Sequence, residues 1–291
     1  MIAKTSIVLP ANNEEEGLKK LLPLLIKMYP EILEIIVVND GSTDETQKVA
    51  ESFNVKVVKH HYPRGNGASV KSGTRVAKGD FICFMDADGQ HKPESVGRLL
   101  NRLGEGFDMV VGARERSAQA STLRLLANKF YNWFASVITG YPIKDLTSGL
   151  RVVKKNIFQK FIHLLPNGFS YPTTSTMAFL KSGYHIDYLV EDVSSKRLGN
   201  SHINIIKDGA RFLLIIFKVG TLYSPLKVFT PFSFVMFTIG FSYYLFTYFT
   251  SGQLTNMSVI LFTTSVIIFL IGLVSEQINI LIYMNASNKN E

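Results

Sequence analysis

Short apolar runs rich in Val, Ile and Phe alternate with longer amphipathic stretches over the first part of the chain. Five of these runs have the length and composition of buried strands, at residues 6–9, 35–38, 55–58, 81–85 and 109–111. The stretches between them carry apolar residues at helical spacing, and one such stripe consists of Leu18, Leu21, Leu22, Leu25 and Ile26. Strands that alternate with helices predict an α/β fold with a mainly parallel sheet.

Polar residues, prolines and glycines mark where several helices begin and end. Asn13 is placed to cap the first helix together with Glu16 three residues later, and Pro93 suits the first turn of another. A further helix is expected from near Pro172 to Gly183, because a glycine suits a left-handed C-terminal cap. The strand ends deliver polar loops, and in a parallel sheet these loops lie at the edge where ligands bind.

The pattern changes after Lys227. Residues 228–275 carry no charged side chain, and uncharged apolar runs of about 18 residues or more are typical of membrane spans. We predict two transmembrane helices, at about 228–250 and 257–280, which are joined by a short uncharged link. The predicted organisation is a globular α/β domain at 1–206, an amphipathic juxtamembrane segment at 207–227, a transmembrane hairpin at 228–284 and a tail at 285–291.

Charge divides the chain in the same place. The net charge is +8, and only Glu276, Lys289 and Glu291 lie beyond Lys227, so the first 227 residues hold 30 basic and 21 acidic residues, or +9. Basic residues crowd the entry to the hairpin, and the positive-inside rule therefore predicts a multi-pass protein of the cell membrane with its globular domain in the cytoplasm. The excess positive charge suits anionic lipid headgroups and phosphorylated substrates, and nucleic acid is not an expected partner.

Two further features agree with a cytoplasmic domain. The first residues lead directly into a strand pattern, without the apolar region of a cleaved signal peptide. The lone Cys83 excludes an internal disulfide and fits a reducing compartment.

The strongest chemical signal follows the fourth predicted strand. Asp86 and Asp88 stand two positions apart, so their side chains point to the same face, and a turn just after them brings Gln90 close. Three oxygen donors suit a hard cation such as Mg²⁺ or Mn²⁺ and leave other coordination positions for substrate phosphates. Taken alone, the same residues are also a common turn sequence.

Two more acidic loops follow the first and second strands. The first contains Pro10 and Glu14, and the second contains Asp40, whose carboxylate is suited to accept hydrogen bonds from the edge of a nucleotide base. Turn chemistry alone also explains the Asn-Asp-Gly sequence around Asp40. The shared position of these loops at strand ends favours a binding function.

A glycine-rich loop at residues 62–73 runs into a helix, where backbone amides and the helix N-terminus favour an anion. Gly67 and Lys71 are its candidate contacts to that anion. Val70 stands where a P-loop and a dinucleotide-binding fingerprint each require glycine. The sequence therefore gives no support to an ATPase or a Rossmann dehydrogenase.

These loops, in this order, resemble the family 2 glycosyltransferases, and within them the polyprenyl-phosphate enzymes similar to dolichol-phosphate mannosyltransferase. The resemblance covers about residues 6–207 and is carried by the segments 10–14, 39–42, 64–73, 86–90, 145–151 and 197–201. It implies a GT-A fold for the globular domain, a UDP- or GDP-sugar donor, a divalent metal on the Asp-x-Asp loop and polyprenyl phosphate as the acceptor.

The resemblance also implies roles for individual residues. Those matched to the nucleotide, the metal and the donor diphosphate are Pro10, Glu14, Asp40, Asp86, Asp88 and Gln90. Arg114 and Arg124 match basic positions that meet the acceptor phosphate, and Arg197 matches one that faces the donor diphosphate. Asp88 and Arg197 are the expected catalytic residues.

The sequence departs from the family pattern at three places. Asn12 stands where the family often has Tyr and Asn39 where it often has Asp, which leaves the choice between UDP and GDP open. Residues 171–174 lack the glutamate that many relatives carry there. A sugar hydroxyl needs a general base, but a lipid phosphate is already anionic and needs only positioning. We therefore expect direct displacement with inversion, with the metal and Arg197 stabilising the leaving diphosphate.

Three alternatives stay open at this point. The acceptor could be another lipid such as diacylglycerol, or a growing glycan, although polymer synthases usually carry a Gln-x-x-Arg-Trp motif and the only Trp is Trp133. The chain could also be a non-catalytic nucleotide-sugar-binding membrane scaffold, although a degenerate site should have lost Asp86 and Asp88. The sequence leaves homo-oligomerisation undecided.

Overall fold

The computed structural model describes residues 1–114, 122–168, 170–191, 214, 217–218, 220–222 and 224–288, without the side chains of 122–127 and 282–288. The chain divides into two compact units. The first unit comprises Met1–Ser136 and Tyr141–Ile215, and the second comprises Val137–Gly140 and Ile216–Glu291.

The first unit contains seven described strands and most of the described helices. The strands are β1 (Thr5–Ala11), β2 (Glu34–Asp40), β3 (Lys56–His60), β4 (Phe81–Phe84), β5 (Met109–Arg114), β6 (Arg151–Lys154) and β7 (Ile186–Glu191). The helices, after a short 3-10 turn at Ile2–Lys4, are α1 (Glu15–Met28), α2 (Thr46–Ser52), α3 (Asn66–Val76), α4 (Glu94–Gly104), α5 (Thr122–Thr139), α6 (Lys155–Phe161) and α7 (Tyr171–Lys181). Helix α5 continues into the second unit at Val137.

The described strands form one seven-stranded sheet in the order β3-β2-β1-β4-β6-β5-β7. Strand β6 runs antiparallel to both of its neighbours, and the remaining pairs are parallel. The predicted α/β class with a mainly parallel sheet is confirmed, as are all five predicted strands. The sequence patterns did not predict β6 and β7.

Helices cover both faces of this sheet because successive strand residues point in opposite directions. Ile7 and Leu9 belong to a core that also holds the apolar residues of α1 and α4. Val8 points the other way, against α3, where a Cβ on Gly73 would stand 2.3 Å from its Cγ1. Glycine at this position therefore allows α3 to approach β1 closely.

The first helix differs from its prediction at both ends. The expected apolar stripe is buried up to Leu25, but Ile26 is 40% exposed. The expected cap at Asn13 is wrong, because the helix starts at Glu15 after Glu14 and has no side-chain cap. Asn13 instead adopts a left-handed conformation with φ of 56°, and its side chain bonds the second loop. The later helix ends as predicted, with Gly183 left-handed at φ of 79°.

The second unit contains a helical hairpin of α8 (Pro225–Ser251) and α9 (Asn256–Asn288). A left-handed Gly252 ends α8 and begins the short link. The segments Pro225–Ser251 and Asn256–Leu281 have mean hydropathies of 1.4 and 2.6, and only 17% of each most apolar window is buried. By length and composition both are able to cross a membrane, in agreement with the two predicted spans.

Small residues form the contact between α8 and α9. Ser233 Oγ donates to Ser265 O at 2.9 Å, and Ser265 Oγ donates to Ser233 O at the same distance. A Cβ on Gly240 would lie 2.9 Å from Leu261 Cβ, and the larger apolar side chains are exposed on the outer faces. Close approach through small residues and interhelical hydrogen bonds is the packing expected of membrane helices.

Candidate active site

The predicted site loops lie at one edge of the sheet. The register pairs Ala11 with Asn39 and Val8 with Phe84, so the loops after β1, β2 and β4 leave the sheet side by side. Strand β6 is antiparallel, and its first residue Arg151 pairs with Phe84 at this same edge. The segment that precedes β6 therefore joins the loops that follow the parallel strands.

The first two loops are bonded to each other. The Asn12 side chain donates to Asp40 O at 2.6 Å, and Asn13 Oδ1 accepts the Thr43 amide at 2.8 Å. The amide of Glu14 donates to Thr46 Oγ1 at 2.9 Å. Pro10 is the next-to-last residue of β1 and pairs with Val38. Of the predicted nucleotide residues, Glu14 thus lies in an interlocked pair of loops, and Pro10 lies in the strand that leads into them.

Asp40 is 5% exposed and already accepts several hydrogen bonds. Its Oδ1 lies 2.6 Å from His60 Nδ1 and accepts the Arg64 amide at 2.8 Å, while its Oδ2 accepts the Gly65 amide at 2.7 Å. The carboxylate therefore organises the glycine-rich loop. Its predicted contact with a nucleotide base stays a prediction.

The glycine-rich loop is held by carbonyl groups of a distant segment. The amides of Gly67 and Ala68, which the sequence placed against an anion, donate to Gly168 O at 3.1 Å and Asn167 O at 2.9 Å. A Cβ on Gly67 would lie 2.1 Å from Pro166 O, so this approach requires glycine. The first turn of α3 is therefore bonded within the protein.

Lys71, on the same helix, reaches the same segment. Its Nζ donates to Leu165 O at 3.1 Å and to Asn167 Oδ1 at 2.5 Å. Partial burial, with the charges of Arg75 and Arg64, lowers the pKa of Lys71. The structure thus brings Gly67 and Lys71 together with residues 165–168, a segment to which the sequence assigned no role.

Asp86 lies between three elements. Its Oδ2 is 3.8 Å from His91 Nε2, and a Cβ on Gly149 would stand 2.4 Å from the same oxygen. Burial acts to raise the pKa of Asp86, but contacts with His91 and Asn66 and the charge of Arg114 lower it on balance. The carboxylate is therefore held ionised, which a metal ligand requires.

Asp88 and Gln90 continue the same loop. Asp88 is 7% exposed, and its Oδ1 accepts the Gln90 amide at 3.0 Å. Gly89 between them has φ of 71°, so the turn needs a residue that tolerates the left-handed region. The Asp88 carboxylate is thus bonded to the Gln90 backbone. All three predicted ligands lie in the loop after β4, which ends at Phe84, so the same-face spacing expected within a strand does not apply to Asp86 and Asp88.

The donors at this loop fit a hard cation only in part. Within the part of the chain that the structure describes, no group of three or more His, Cys, Asp or Glu side chains is arranged to hold a metal ion. The available donors are two carboxylates and an amide, all through oxygen. Mg²⁺ commonly binds one or two carboxylates together with substrate phosphates. The residues therefore fit a metal whose coordination a diphosphate completes.

Arg114, at the end of β5, is bound by a carboxylate. Its Nε donates to Asp145 Oδ2 at 2.9 Å and its Nη2 to Asp145 Oδ1 at 3.0 Å. Burial acts to raise the pKa of Asp145, but Arg114 lowers it on balance; Asp145 in turn raises the pKa of Arg114. The predicted acceptor residue is thus oriented by a two-point ion pair.

Two other predicted residues lie outside this description. Arg124 falls in α5, but its side chain is outside the described residues. Arg197 and the segment 197–201 also lie outside them. Their proposed contacts with the acceptor and donor phosphates stay predictions.

The sequence reasoning gave no role to several residues that shape this edge. These are His60, Asn66, Asp145, Gly149, Arg151 and Tyr171. Arg151 is fully buried; its Nη1 donates to Pro172 O and Ser175 Oγ, and its Nη2 to Ser148 O. For Asp145, Gly149 and Arg151 the available signal was the polar stretch 145–151, and for Asn66 it was the glycine-rich loop; both segments formed part of the resemblance without functions assigned to these residues.

Comparisons with known proteins match both parts of the chain to described families. The family model for glycosyl transferase family 2 matches residues 6–162, and the model for the GtrB C-terminal hairpin matches residues 224–281. The undecaprenyl-phosphate 4-deoxy-4-formamido-L-arabinose transferase of Proteus mirabilis is 33% identical over 189 residues, which cover 58% of this chain and 57% of that protein. An uncharacterised protein of Methanocaldococcus jannaschii is 33% identical over 164 residues, covering 54% of this chain and 67% of that one.

Solved structures share the fold at low sequence identity. The glucosyl-3-phosphoglycerate synthase of Mycobacterium tuberculosis, solved with Mn²⁺ and UDP-glucose, has a TM-score of 0.59 at 20% identity, covering 74% of this chain and 77% of that one. The mannosyl-3-phosphoglycerate synthase of Rubrobacter xylanophilus has a TM-score of 0.60 at 19% identity, covering 74% and 72%.

The matches differ in how much of each protein they cover. The chain spans little more than half the length of the first curated relatives, so similarity to them extends over only part of each protein. The match to the family model is more extensive, because it covers more than half of this chain, from Ser6 to Ile162, including all the loops around Asp86. The protein belongs to glycosyl transferase family 2.

Proposed function

We propose that the protein is a membrane-anchored, inverting glycosyltransferase that moves a sugar from a nucleotide diphosphate to polyprenyl phosphate at the cytoplasmic face of the cell membrane. The observation that carries this proposal is the sheet register: Arg151 of β6 pairs with Phe84 on one side and with Val111 on the other, so the residues that follow, Asp86 and Arg114, lie at the same edge of the sheet. A carboxylate suited to a metal and a cation suited to a phosphate thus lie together at one edge of the sheet. The similarity to undecaprenyl-phosphate sugar transferases supports the same acceptor.

The donor side is assigned to the loops after β1, β2 and β4. Asp86, Asp88 and Gln90 would hold Mg²⁺ or Mn²⁺, which when bound supplies a Lewis acid for the donor diphosphate. The nucleotide sugar, a UDP- or GDP-sugar, is assigned to Pro10, Glu14 and Asp40 at the ends of β1 and β2 and to Gly67 and Lys71 on α3. Because the Gly67 amide donates to Gly168 O, the assigned role of Gly67 is to allow the close approach of the backbone there.

The acceptor side is assigned to Arg114 and to Arg124, which follows it ten positions later in the sequence. Asp145 orients the Arg114 guanidinium by a two-point contact, so little side-chain entropy remains to be lost when a phosphate binds. A phosphate acceptor is anionic at neutral pH, and the reaction therefore needs no carboxylate base at residues 171–174. Arg197 is assigned to the leaving diphosphate.

The hairpin supplies the anchor in this proposal. In it, helices α8 and α9 cross the bilayer and residues 1–206 form the catalytic domain. The basic residues Lys218 and Lys227 at the entry to the hairpin favour the cytoplasmic side for that domain. The lipid acceptor lies within the same bilayer. Anchoring the domain therefore raises the encounter rate between site and acceptor without any further contact.

The decisive experiment is a transfer assay with the full chain in membranes. Radiolabelled UDP- and GDP-sugars are incubated with either undecaprenyl phosphate or diacylglycerol, and the label in the lipid fraction is counted. Wild-type protein should label undecaprenyl phosphate, and Asp88→Ala should lose the label while still folding and inserting. Since removing metal or oxyanion stabilisation costs about a hundredfold or more in rate, the loss should be evident.

Asp80→Ala is the matched control. Asp80 lies just before β4, at the opposite end from Asp88, and its side chain is 66% exposed. This variant should transfer sugar at the wild-type rate. Full activity of Asp88→Ala would refute the metal site, and label in diacylglycerol alone would refute the proposed acceptor.

A further inference from the structure

His60 joins three segments of the proposed donor side. Its Nδ1 lies 2.6 Å from Asp40 Oδ1, and its Nε2 lies 2.8 Å from Ser72 Oγ. His60 and Asp40 are the last residues of β3 and β2 and are register partners, while Ser72 belongs to α3. The imidazole is 5% exposed, so both of its contacts are shielded from water.

The contact with Asp40 fixes the direction of that carboxylate. A carboxylate only accepts, so His60 Nδ1 carries the proton of the shared hydrogen bond. His60 orients Oδ1 of Asp40. In this orientation the carboxylate accepts the Arg64 amide on Oδ1 and the Gly65 amide on Oδ2. Gly65 has φ of 99°, a conformation that glycine adopts readily and other residues rarely do.

The restrained loop leads directly to the predicted metal carboxylate. Asn66 follows Gly65 as the first residue of α3, and hydrogen bonding by its side chain acts to lower the pKa of Asp86. On the far side of Asn66, Gly67 is bonded to Gly168 O. Asn66 is therefore held between two fixed points, one of which depends on Asp40 and so on His60.

We propose that His60 is a positioning residue for the nucleotide-sugar donor, which holds Asp40 so that the loop at residues 64–67 presents Asn66 to Asp86. The inference rests on the proposed function, which identifies the ligand of this site as a nucleotide sugar. His60 touches Asp40 and Ser72 and acts on the donor through the loop.

Two substitutions separate the two ends of the imidazole. The amide nitrogen of Asn stands near the place of Nδ1, so His60→Asn keeps a donor to Asp40 and loses the contact with Ser72. The longer His60→Gln carries its amide near the place of Nε2, so it keeps Ser72 and loses Asp40. Ser72→Ala removes the Ser72 contact alone.

The test measures Mn²⁺-dependent binding of UDP and GDP to the purified full chain by calorimetry, together with the donor and acceptor KM values. His60→Gln should weaken binding of the accepted nucleotide by about tenfold, the effect of losing a hydrogen bond to a charged group. Its donor KM should rise by a similar factor while its acceptor KM stays unchanged. His60→Asn and Ser72→Ala should remain within about threefold of wild type.

Hydrogen exchange provides a readout that needs no ligand. In His60→Gln the amides of Arg64 and Gly65 should exchange faster than in wild type, and in His60→Asn they should keep their protection. Equal losses of binding in His60→Asn and His60→Gln would indicate only general packing and overturn the inference, as would wild-type binding by His60→Gln. If the wild-type chain binds neither nucleotide, the proposed function fails, and hydrogen exchange still decides whether His60 holds the loop.

Discussion

Gly149 lies directly against the carboxylate of Asp86. A Cβ on Gly149 would stand 2.4 Å from Oδ2 and 2.9 Å from both Cγ and Oδ1 of Asp86. Gly149 precedes β6, the antiparallel strand, and its own carbonyl accepts the Tyr171 hydroxyl at 3.1 Å. The position of the carboxylate is therefore limited by a backbone segment that α7 holds in place.

Substituting this glycine should impair the metal site before it impairs the fold. In Gly149→Ala the methyl group has no space unless Asp86 moves, so metal-dependent nucleotide binding should fall by about tenfold to a hundredfold, as when other supports of a metal ligand are lost. Calorimetry with Mn²⁺ and nucleotide measures this. Gly104→Ala at the far end of α4 is the control, because a Cβ there meets only the Met1 sulfur at 3.0 Å, which is the end of a flexible side chain. Equal affinities of the two variants would contradict the proposed support of Asp86 by Gly149.

The ion pair of Arg114 and Asp145 should appear in the pH dependence of stability. Burial acts to raise the pKa of Asp145, but Arg114 lowers it on balance, below its unfolded value of about 3.9. The pair therefore contributes its full stability above that pH, and the contribution is lost as pH falls through the lower folded pKa. Asp145→Asn should lower the free energy of unfolding at pH 7 by about 1.5–3 kcal/mol. Between about pH 4 and pH 3 its free energy of unfolding should fall less steeply than that of wild type.

Unfolding of the full chain in detergent from pH 7 to pH 3, followed by circular dichroism, measures both effects. Asp80→Asn serves as the control, because the Asp80 side chain is 66% exposed. It should follow the wild-type curve throughout. An unchanged acid slope in Asp145→Asn would show that this carboxylate does not contribute to the acid transition.

The sequence predicted the parts of the fold that depend on local patterns. Strongly apolar runs such as that ending at Phe84 became parallel strands, and the polar loops after them met at one edge, because parallel strands share a direction. The placement of Asp86 and Asp88 beside the loops of Pro10 and Asp40 needed only this rule. The hairpin was equally local, because it depends on length and on the absence of charge.

The parts that the sequence did not predict depend on contacts between distant residues. Strand β6 has only four residues, two of them charged, and it becomes a strand because β4 and β5 flank it. The amides at Gly67 suggested an anion site, but the carbonyls that they meet come from residues about 100 positions later. Propensity cannot report such contacts, since they exist only once the tertiary structure has formed.

Arg151 should be more sensitive to substitution than any exposed arginine. It is fully buried, and its two terminal nitrogens point to different elements, Nη1 to Pro172 O and Ser175 Oγ in α7 and Nη2 to Ser148 O. The single ammonium group of Arg151→Lys cannot serve both sides. The variant should lose about 3 kcal/mol of unfolding free energy, because buried acceptors remain without donors.

Denaturant unfolding of the full chain in detergent checks this value. The control is Arg75→Lys in α3, an exposed position where a change within about 0.5 kcal/mol is expected. A loss in Arg151→Lys no larger than that of the control would mean that the buried guanidinium does not connect α7 to the segment before β6.

The small-residue seam between α8 and α9, formed by Ser233, Gly240 and Ser265, allows a prediction for the hairpin that is independent of the catalytic site. The hydroxyl oxygens of Ser233 and Ser265 lie 3.2 Å apart, so cysteines at both positions would place their sulfur atoms within bonding reach. The native Cys83 is buried in the first unit and is replaced by alanine to remove its thiol.

In native membranes under mild oxidation, Ser233→Cys with Ser265→Cys should form an intramolecular disulfide, seen as a faster-migrating band that disappears on reduction. The control pair, Phe234→Cys with Val266→Cys, lies on the outer faces, with side chains 68% and 56% exposed, and should not crosslink within one chain. Equal crosslinking in both pairs would mean that the helices do not pack through the small-residue seam, because only a fixed seam distinguishes adjacent positions on the same helix.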